Sequence, residues 1–301
     1  MSAERRADLS PELSTRVLHD VPMSKHTSWR VGGPADLFFT PRDVMDAGAF
    51  VRQLPADVPI LWIGLGSNLL VRDGGIRGAV ICTHGALGAL ERLSATRIQA
   101  EAGVPCGRIA RQCVKWGLGP AEFFAGIPGT LGGALAMNAG AWGGATWNHV
   151  IEVDVLDRRG VRHTRTPLDY EIGYRSVKGP ANEWFIGARL EFERTPGVNT
   201  DAIRELLDKR KQSQPIGEWS CGSVFTNPPG EHAARLIEAA GLKGFRIGDA
   251  SVSEKHANFI INHGAARAAD VEAVIQHVQR IVKNVHGTEL HTEVRIVGES
   301  A

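Results

Sequence analysis

The sequence lacks an excess of either charge. Lys and Arg together number 34, and Asp and Glu number 33, in 301 residues, which gives a formal net charge of +1. Proteins that bind nucleic acid mainly through its phosphates carry an excess of basic residues, and none is present here. We therefore do not expect nucleic acid to be a partner.

Cysteine is scarce, and its spacing excludes two kinds of site. The four cysteines, Cys82, Cys106, Cys113 and Cys221, form no CxxC pair, and none of the eleven histidines lies in an HExxH pattern. A chain of this length also buries enough apolar surface to fold without disulfides or metals. We predict reduced thiols, no catalytic metal and a cytoplasmic location.

The sequence has no evident targeting or membrane segment. Residues 1–19 are polar and mixed in charge, without the apolar core of a signal peptide, so we expect a loose N-terminal lead-in. The uncharged run at 123–150 is long enough to span a membrane. Its seven glycines, with Pro128 and Asn138, would weaken a helix and leave backbone groups unpaired in lipid, so we predict no membrane insertion.

Regular elements are well marked in the first two thirds of the chain. Short apolar runs bounded by glycines predict strands at 60–63 and 79–82. A strand at 97–102 precedes a helix whose apolar residues share one face and which ends at Gly117. The alternating segment 150–157 predicts a further strand.

A change in composition at 195–200 predicts a domain boundary. Proline, glycine and polar residues there separate the strand-rich part from helical patterns. The strongest pattern places valines and isoleucines on one face between 271 and 285, with Gly287 as the stop. The next segment, 289–297, alternates apolar and polar residues and predicts a strand.

Two glycine-rich segments lie in the strand-rich part. GLGSN, residues 64–68, follows an apolar strand, and GIPGTLGGALAMNAGAWGG, residues 126–144, carries no charge. Their backbones suit close approach to the phosphates and planar ring of a long ligand. Tight internal packing of glycine turns explains the same pattern equally well. Leu69 stands where a dinucleotide fingerprint needs its third glycine, and the sequence has no GxxxxGK[ST] phosphate loop.

Three polar side chains are candidates for chemistry, each with an ordinary alternative. Ser223 lies in a glycine turn but in no GxSxG elbow, so an ordinary turn serine is the simpler interpretation. Arg175 in IGYRSVKG suits a surface cation, and Glu293 suits the solvated side of the final strand. Taken singly, these residues do not decide the function.

The motifs taken together in their order resemble one family. From about residue 27 to residue 298 they are TSWRVGGPAD, IGLGSNLLVRD, AGIPGTLGGALAMNAGAWG, GYR, RKQSQP, CGSVFTNP, AGLKG, HANFIIN and TEVRIVG. This series resembles the UDP-N-acetylenolpyruvoylglucosamine reductase family, flavoenzymes that complete UDP-N-acetylmuramate for bacterial peptidoglycan. Because the separate motifs agree, the resemblance favours the functional interpretation of each.

The resemblance implies an α+β fold. It predicts a FAD-binding part of the PCMH/vanillyl-alcohol-oxidase type, made of two subdomains, followed by an α+β substrate domain. The expected boundaries are 1–19 for the lead-in, 20–90 and 91–196 for the FAD-binding subdomains, and 197–301 for the substrate domain.

The resemblance also implies the cofactors. FAD would be bound non-covalently, and NADPH would be the hydride donor. GLGSN would hold the FAD diphosphate, and the second glycine-rich segment would form a buried backbone cradle. The residues expected near FAD are Gly64, Leu65, Gly66, Ser67, Asn68, Ile127, Pro128, Gly129, Gly133, Asn138, Ala139 and Gly140.

The family's chemistry implies roles for three side chains. Hydride reaches the C3 methylene of UDP-N-acetylglucosamine enolpyruvate, and charge develops at C2. Arg175 would stabilise that charge, Ser223 would protonate C2, and Glu293 would polarise or orient the reacting centre. Further contacts to this UDP-sugar substrate are expected from Tyr174, Arg210, Asn227, His256 and Asn258.

The sequence departs from the family pattern just after Arg175. The family often has a serine where Val177 stands, whereas Ser176 is adjacent to the arginine, so we assign Ser176 no role. Only SVKGPANEW separates Arg175 from the next strand, which is typical of a shorter subgroup without an inserted tyrosine loop.

Two other functions fit parts of the sequence. One is a flavin oxidase of sugars or hydroxy acids that shares the FAD-binding part, but the C-terminal motifs match the reductase instead. The other is a sugar-nucleotide-binding protein without catalysis. The joint presence of Arg175, Ser223 and Glu293 argues against that alternative.

Overall fold

A computed structural model describes residues 9–301. Residues 1–8 of the expected lead-in lie outside the described residues. The rest of the lead-in is packed, since Leu13 and Val17 are only 4% and 5% exposed and belong to a hydrophobic core. Residues 9–19 are therefore part of a folded unit and not a loose extension.

The described residues form an α+β fold. The helices are α1 (Pro11–Ser14), α2 (Val44–Gln53), α3 (Cys106–Lys115), α4 (Leu131–Met137), α5 (Thr200–Ser213), α6 (Ala233–Ala239) and α7 (Ala268–His286). The strands are β1 (Leu18–Pro22), β2 (Pro34–Phe39), β3 (Ile60–Ile63), β4 (Leu69–Val71), β5 (Ile76–Cys82), β6 (Leu90–Arg92), β7 (Arg97–Glu101), β8 (Leu118–Gly119), β9 (Gly140–Ala141), β10 (Gly144–Ala145), β11 (Val150–Asp157), β12 (Arg162–Arg165), β13 (Glu171–Gly173), β14 (Ser176–Lys178), β15 (Glu183–Glu191), β16 (Glu193–Arg194), β17 (Arg246–Ile247), β18 (Ala250–Val252), β19 (Ile260–Asn262) and β20 (Arg295–Val297).

The chain divides into two compact units. The described part of the first unit comprises residues 9–19, 37–65 and 78–208. The second unit comprises residues 20–36, 66–77 and 209–301. Each unit has its own hydrophobic core.

The first unit is built on an antiparallel sheet in the order β12-β11-β15-β7-β6. Val153 of β11 pairs with Ala188 of β15, which in turn pairs with Ala100 of β7. These three residues are fully buried together with Ile109 of α3 and Leu131 of α4. The core therefore fixes where α4, and the glycine-rich segment that contains it, lies against the sheet.

A second core of the first unit surrounds α2. Phe50 of α2 stacks on Phe39 of β2, with ring centroids 4.3 Å apart. In the sheet of order β1-β2-β5-β3, the last two strands are parallel, and Ile63 pairs with Cys82. This pairing fixes the carboxyl end of β3, and Gly64 follows directly.

The second unit contains an antiparallel sheet in the order β17-β18-β19, packed against α6 and α7. The first turn of α7 is capped by Asp73, whose carboxylate accepts the N–H groups of Ala268 and Ala269, both at 2.9 Å. Such a cap satisfies donors that a helix start otherwise leaves unpaired. The helix ends at Gly287, whose φ of 69° suits glycine.

The contacts group the chain differently from the boundaries expected at residues 90 and 196. Strand β4 pairs in parallel with β20, and Arg72 forms a two-bond ion pair with Glu272 at 2.8 and 2.9 Å. Residues 66–77 therefore pack with the C-terminal region. The later division falls inside α5, after Asp208.

Most predicted elements are confirmed, including β3, β7, α3, β11 and α7. The exception is the strand expected at 289–297, of which only β20 forms. The N–H groups of Glu293 and Val294 both bond to the Val224 carbonyl, at 2.8 and 3.4 Å. These residues are thus held by a loop instead of by a neighbouring strand.

Of the helices formed by residues 9–301, none combines the length and apolar composition that a membrane crossing demands. Within the same residues, no three His, Cys, Asp or Glu side chains cluster as ligands for a metal ion.

Candidate active site

In the first unit, Gly64 lies against the start of α4. A Cβ atom at Gly64 would be 2.1 Å from Thr130 Oγ1, so only glycine fits there. Thr130 is 1% exposed, and its hydroxyl has no hydrogen-bond partner among the described residues. Leaving a buried hydroxyl without a hydrogen bond costs about 1–3 kcal/mol of stability. We therefore expect a ligand to supply the missing hydrogen-bond partner.

Thr130 was not among the residues predicted from the sequence. A signal was present, since Thr130 directly precedes α4 and threonine is a common residue before a helix. However, its side chain makes no capping bond to α4. Within the described residues, the hydroxyl therefore neither caps α4 nor bonds to any other group.

The glycines between residues 126 and 144 fall into two groups. A Cβ at Gly140 would lie 2.2 Å from the Gly144 carbonyl, and one at Gly126 would lie 2.6 Å from the Trp142 ring. At Gly133, on α4, a Cβ would meet no atom of residues 9–301 within 4 Å, apart from its chain neighbours and the backbone of its own helix. Internal packing explains the first group, whereas Gly133 leaves the helix backbone open to a ligand.

The other residues predicted near FAD in this unit differ in exposure. Ile127 and Ala139 are buried in the first core, at 8% and 7% exposure. Pro128 and Leu65 are exposed, and Gly129 is half-buried with its carbonyl accepting the Cys106 N–H at 2.9 Å. The side chains of Ile127 and Ala139 hold the segment in place, so contact with a ligand falls to exposed groups and backbone.

Asn138 ends α4 in the left-handed conformation, with φ 47° and ψ 53°. Its side-chain amide donates to the Gly173 carbonyl at 3.0 Å and accepts the Trp147 N–H at 3.1 Å. The amide predicted to touch FAD thus ties the end of α4 to the β13–β14 hairpin.

Arg175 lies in the turn of this hairpin, with φ 53°. A positive φ is strained for arginine and is often found at functional sites. Its guanidinium donates to the Gly140 carbonyl at 2.8 Å and to the Asn138 carbonyl at 3.5 Å. The guanidinium carbon lies 5.4 Å from the centre of the Tyr174 ring, and Tyr174 is 61% exposed. The structure therefore brings Arg175 onto the glycine-rich segment.

In the second unit, the remaining residues of GLGSN lie beside the strand that follows Glu293. Gly66 has φ 62°, and a Cβ there would be 2.0 Å from the His26 carbonyl. The Asn68 side chain donates to the Glu293 carbonyl at 3.1 Å, and the Asn68 carbonyl accepts the Arg295 N–H at 3.0 Å. Ser67, between them, is half-buried.

The loop that carries Ser223 is held on both sides. The buried Cys221 thiol lies 3.5 Å from the Leu69 carbonyl, and burial raises the pKa of this thiol to about 12. The Val224 carbonyl accepts the Glu293 N–H at 2.8 Å. Ser223 is half-buried, and no hydrogen bond engages its hydroxyl within residues 9–301. The hydroxyl is therefore available to a ligand.

Asn258 and His256 lie in the turn before β19. The Asn258 amide accepts the Phe225 N–H at 2.9 Å and donates to the Phe225 carbonyl at 2.8 Å. Asn258 is 4% exposed, so its contact to substrate stays a prediction. His256 is half-buried, and its burial lowers the pKa of the imidazole, which favours the neutral ring.

Arg210 and Asn227 complete the predicted set. Arg210, on α5, donates from Nε to the Gln214 side chain at 2.7 Å, and burial lowers the pKa of its guanidinium. Asn227 is exposed, and its Oδ1 accepts the Ala233 N–H at 3.1 Å, where α6 begins. Both side chains thus have local structural partners.

Two family models match the chain. A model described as "FAD binding domain" matches residues 35–165. A model described as "UDP-N-acetylenolpyruvoylglucosamine reductase, C-terminal domain" matches residues 214–297.

Similar proteins cover nearly the whole chain. The UDP-N-acetylenolpyruvoylglucosamine reductase of Alkalilimnicola ehrlichii is 56% identical, covering 100% of this chain and 99% of its own length. That of Methylococcus capsulatus is 51% identical, with 99% and 98% coverage. The crystal structure of UDP-N-acetylenolpyruvylglucosamine reductase from Thermus caldophilus matches with a TM-score of 0.80 at 31% identity, covering 93% of this chain and 98% of that one.

Proposed function

Because the chain belongs to the UDP-N-acetylenolpyruvoylglucosamine reductase family, we propose that it reduces UDP-N-acetylglucosamine enolpyruvate to UDP-N-acetylmuramate. The donor is NADPH, the bound carrier is FAD, and the product is a precursor of peptidoglycan. One observation of geometry carries the proposal. The Val224 carbonyl accepts the Glu293 N–H, so a candidate proton donor and a candidate carboxylate belong to one hydrogen-bonded structure.

The first unit has features that suit FAD. The buried Thr130 hydroxyl lacks a partner among residues 9–301, and the backbone at Gly133 has open space beside it. A flavin nucleotide offers both phosphate and ring groups to such a surface. The proposed binding set is Gly64, Leu65, Gly66, Ser67, Asn68, Ile127, Pro128, Gly129, Gly133, Asn138, Ala139 and Gly140. We add Thr130 to this proposal because its buried hydroxyl has no partner within the described residues. FAD supplies, when bound and reduced by NADPH, the hydride that reaches C3 of the substrate.

Arg175 stabilises the negative charge that develops next to the substrate carboxylate. Its guanidinium is held by the Gly140 and Asn138 carbonyls, at 2.8 and 3.5 Å. Because these bonds set its position before substrate arrives, little reorganisation is needed during the reaction. A charge held in place in this way lowers the barrier more than it strengthens substrate binding.

Ser223 delivers the proton to C2. Its hydroxyl has no hydrogen-bond partner within the described residues, so it can be directed at a substrate atom. Serine is a weak acid, but the enolate formed at C2 is a strong base, so transfer over a short distance is favourable. With hydride at C3 and this proton at C2, the enol ether becomes a saturated ether.

Glu293 orients or polarises the same centre, and other side chains bind the rest of the substrate. Glu293 is half-buried, and its backbone is fixed by Val224 and Asn68. The remaining substrate contacts are proposed for Tyr174, Arg210, Asn227, His256 and Asn258.

The cellular location follows from this reaction. NADPH and UDP-sugars are used in the cytoplasm, and the four cysteines are free and buried. We place the protein in the cytoplasm with its small-molecule substrates.

An absorption experiment tests the function directly. The purified protein is loaded with FAD under anaerobic conditions, and NADPH and then UDP-N-acetylglucosamine enolpyruvate are added to one cuvette. The expected result is a flavin spectrum that bleaches with NADPH and recovers with the sugar nucleotide. A protein that takes up no FAD contradicts the cofactor assignment. One that bleaches but ignores the sugar nucleotide contradicts the substrate.

A further inference from the structure

The backbone around Ser223 is held by Asn258, through its side-chain amide and its main-chain carbonyl. Asn258 accepts the Phe225 N–H at 2.9 Å and donates to the Phe225 carbonyl at 2.8 Å. The Asn258 carbonyl also accepts the Val224 N–H at 2.9 Å. The two residues after Ser223 are therefore fixed by a single asparagine.

We infer that Asn258 is a positioning residue that sets where the Ser223 hydroxyl and the Glu293 backbone lie, an inference that rests on the proposed function. Both partner groups of its amide belong to the peptide backbone, and the residue is 4% exposed. Each of these two bonds satisfies a backbone group of Phe225 that would otherwise lose its partner.

The effect of Asn258 extends to Glu293 through Val224. The Val224 carbonyl accepts the Glu293 N–H at 2.8 Å, and Phe225 forms an isolated antiparallel bridge with Thr292. A shift of the Val224–Phe225 backbone therefore moves the attachment point of Glu293 as well as Ser223. Asn258 thus holds, through its side chain and its main-chain carbonyl, the loop to which both groups are attached.

Asn258 is itself held by a local turn. The Ser253 hydroxyl accepts the N–H groups of Lys255 and His256, at 3.1 and 3.3 Å. The Phe259 N–H donates to the His256 carbonyl at 3.0 Å. These bonds hold the turn and do not involve Ser223. Asn258 therefore anchors the serine loop to a turn whose own structure is fixed.

Asn262 provides a matched control in the same unit. It is also 4% exposed. Its amide donates to the Trp29 carbonyl at 2.7 Å and accepts the N–H groups of Gly264 and Ala266, at 2.8 and 3.1 Å. None of these contacts involves Ser223, Val224 or Glu293. Truncation removes two side-chain bonds to the backbone at Asn258 and three at Asn262, but of the two side chains only that of Asn258 bonds to the serine loop.

The test compares Asn258→Ala, Asn258→Asp and Asn262→Ala as FAD-loaded, full-length proteins. Stopped-flow absorbance measures flavin reduction by NADPH and reoxidation by UDP-N-acetylglucosamine enolpyruvate separately. Asn258→Asp keeps the size and the acceptor for the Phe225 N–H but loses the donor, which provides a second variant if Asn258→Ala does not fold.

We expect both Asn258 variants to be reduced at the wild-type rate. Reoxidation should slow by about 100-fold in Asn258→Ala, the scale of an ångström-sized misplacement of a reacting group. It should slow less in Asn258→Asp and remain at the wild-type rate in Asn262→Ala. A purely structural role predicts similar behaviour for the alanine variants at the two positions.

Two results would overturn the inference. If wild-type protein is reoxidised but Asn258→Ala and Asn262→Ala are reoxidised at equal rates, Asn258 does not position the site and the proposed function stands. If the wild-type protein itself is not reoxidised by the sugar nucleotide, the proposed function fails, and the inference fails with it.

Discussion

Two regions of the molecule fix a functional backbone by opposite means. Between residues 126 and 144, the backbone takes its shape because side chains are missing, as at Gly140, where a Cβ would lie 2.2 Å from a carbonyl oxygen. Around Ser223, the backbone takes its shape because a side chain is present, the amide of Asn258. Adding side-chain atoms should therefore destabilise the first region, and removing side-chain atoms should disturb the second.

The difference between the two regions also fits the roles proposed for them, cofactor binding and proton transfer. A large planar cofactor needs an extended surface of backbone and small residues. A proton transfer instead needs one hydroxyl at one position, which demands local anchoring. Variants that add or delete a few atoms in each region test this comparison.

The largest effect is expected from Gly140→Ala. The added methyl would collide with the Gly144 carbonyl, a backbone atom of the β9–β10 hairpin that has no freedom to rotate away. We expect the free energy of unfolding of the FAD-free protein to fall by about 3 kcal/mol. Urea denaturation measures this value, and an unchanged midpoint would contradict the packing assigned to Gly140.

The second-largest loss in the free energy of unfolding is expected from Asn138→Ala. The change forces alanine into a left-handed conformation and removes the bonds to the Gly173 carbonyl and the Trp147 N–H. We expect a loss of about 2 kcal/mol in the free energy of unfolding. Asn138→Gly keeps the conformation and loses only the bonds, so its loss should be about half as large. Equal losses in the two variants would show that the left-handed backbone contributes nothing.

Thr130→Val should change two properties in opposite directions. Valine has nearly the same shape and removes the unpaired hydroxyl, so the FAD-free protein should gain about 1 kcal/mol of stability. The affinity for FAD should fall by about tenfold, equivalent to about 1.4 kcal/mol, because a bond to the cofactor is lost. Denaturation and fluorescence titration with FAD measure the two effects. Unchanged FAD affinity would remove Thr130 from the cradle.

Gly133→Ala should have the smallest effect on stability. Apart from its chain neighbours and its own helix backbone, a methyl there meets no atom of the described part of the chain within 4 Å. Alanine is also favoured over glycine inside a helix. We expect the FAD-free protein to gain about 0.5–1 kcal/mol. If the open face receives FAD, the same variant binds FAD more weakly. A variant that is more stable and binds FAD normally would place the cofactor elsewhere.

The sequence predicted the regular elements where the signal was periodic. The apolar face of α7 and the run in β3 both depend on neighbouring residues, so one stretch of sequence contains the evidence. The strand expected around Glu293 was shorter than predicted, because its partner is the Val224 loop, almost seventy residues earlier in the chain. Pairing between segments so far apart in the sequence produces no periodic pattern within either segment.

The site was predicted less completely than the fold. The motifs marked Arg175 and Asn138 as site residues, which stays a prediction, and the structure joins the two by a hydrogen bond. They did not reveal that Gly64 packs against Thr130, or that the Asn258 amide faces Phe225. A residue type shows which bonds are possible, but only tertiary contacts determine which of those bonds form.

The separation of the two half-reactions in Ser223→Ala is the most direct test of the account. Stopped-flow absorbance would follow flavin reduction by NADPH and then reoxidation by UDP-N-acetylglucosamine enolpyruvate. We predict an unchanged rate of reduction and reoxidation slowed by about 100-fold or more, because only the second step needs the proton. Equal slowing of both steps would contradict the assignment of Ser223 as the proton donor.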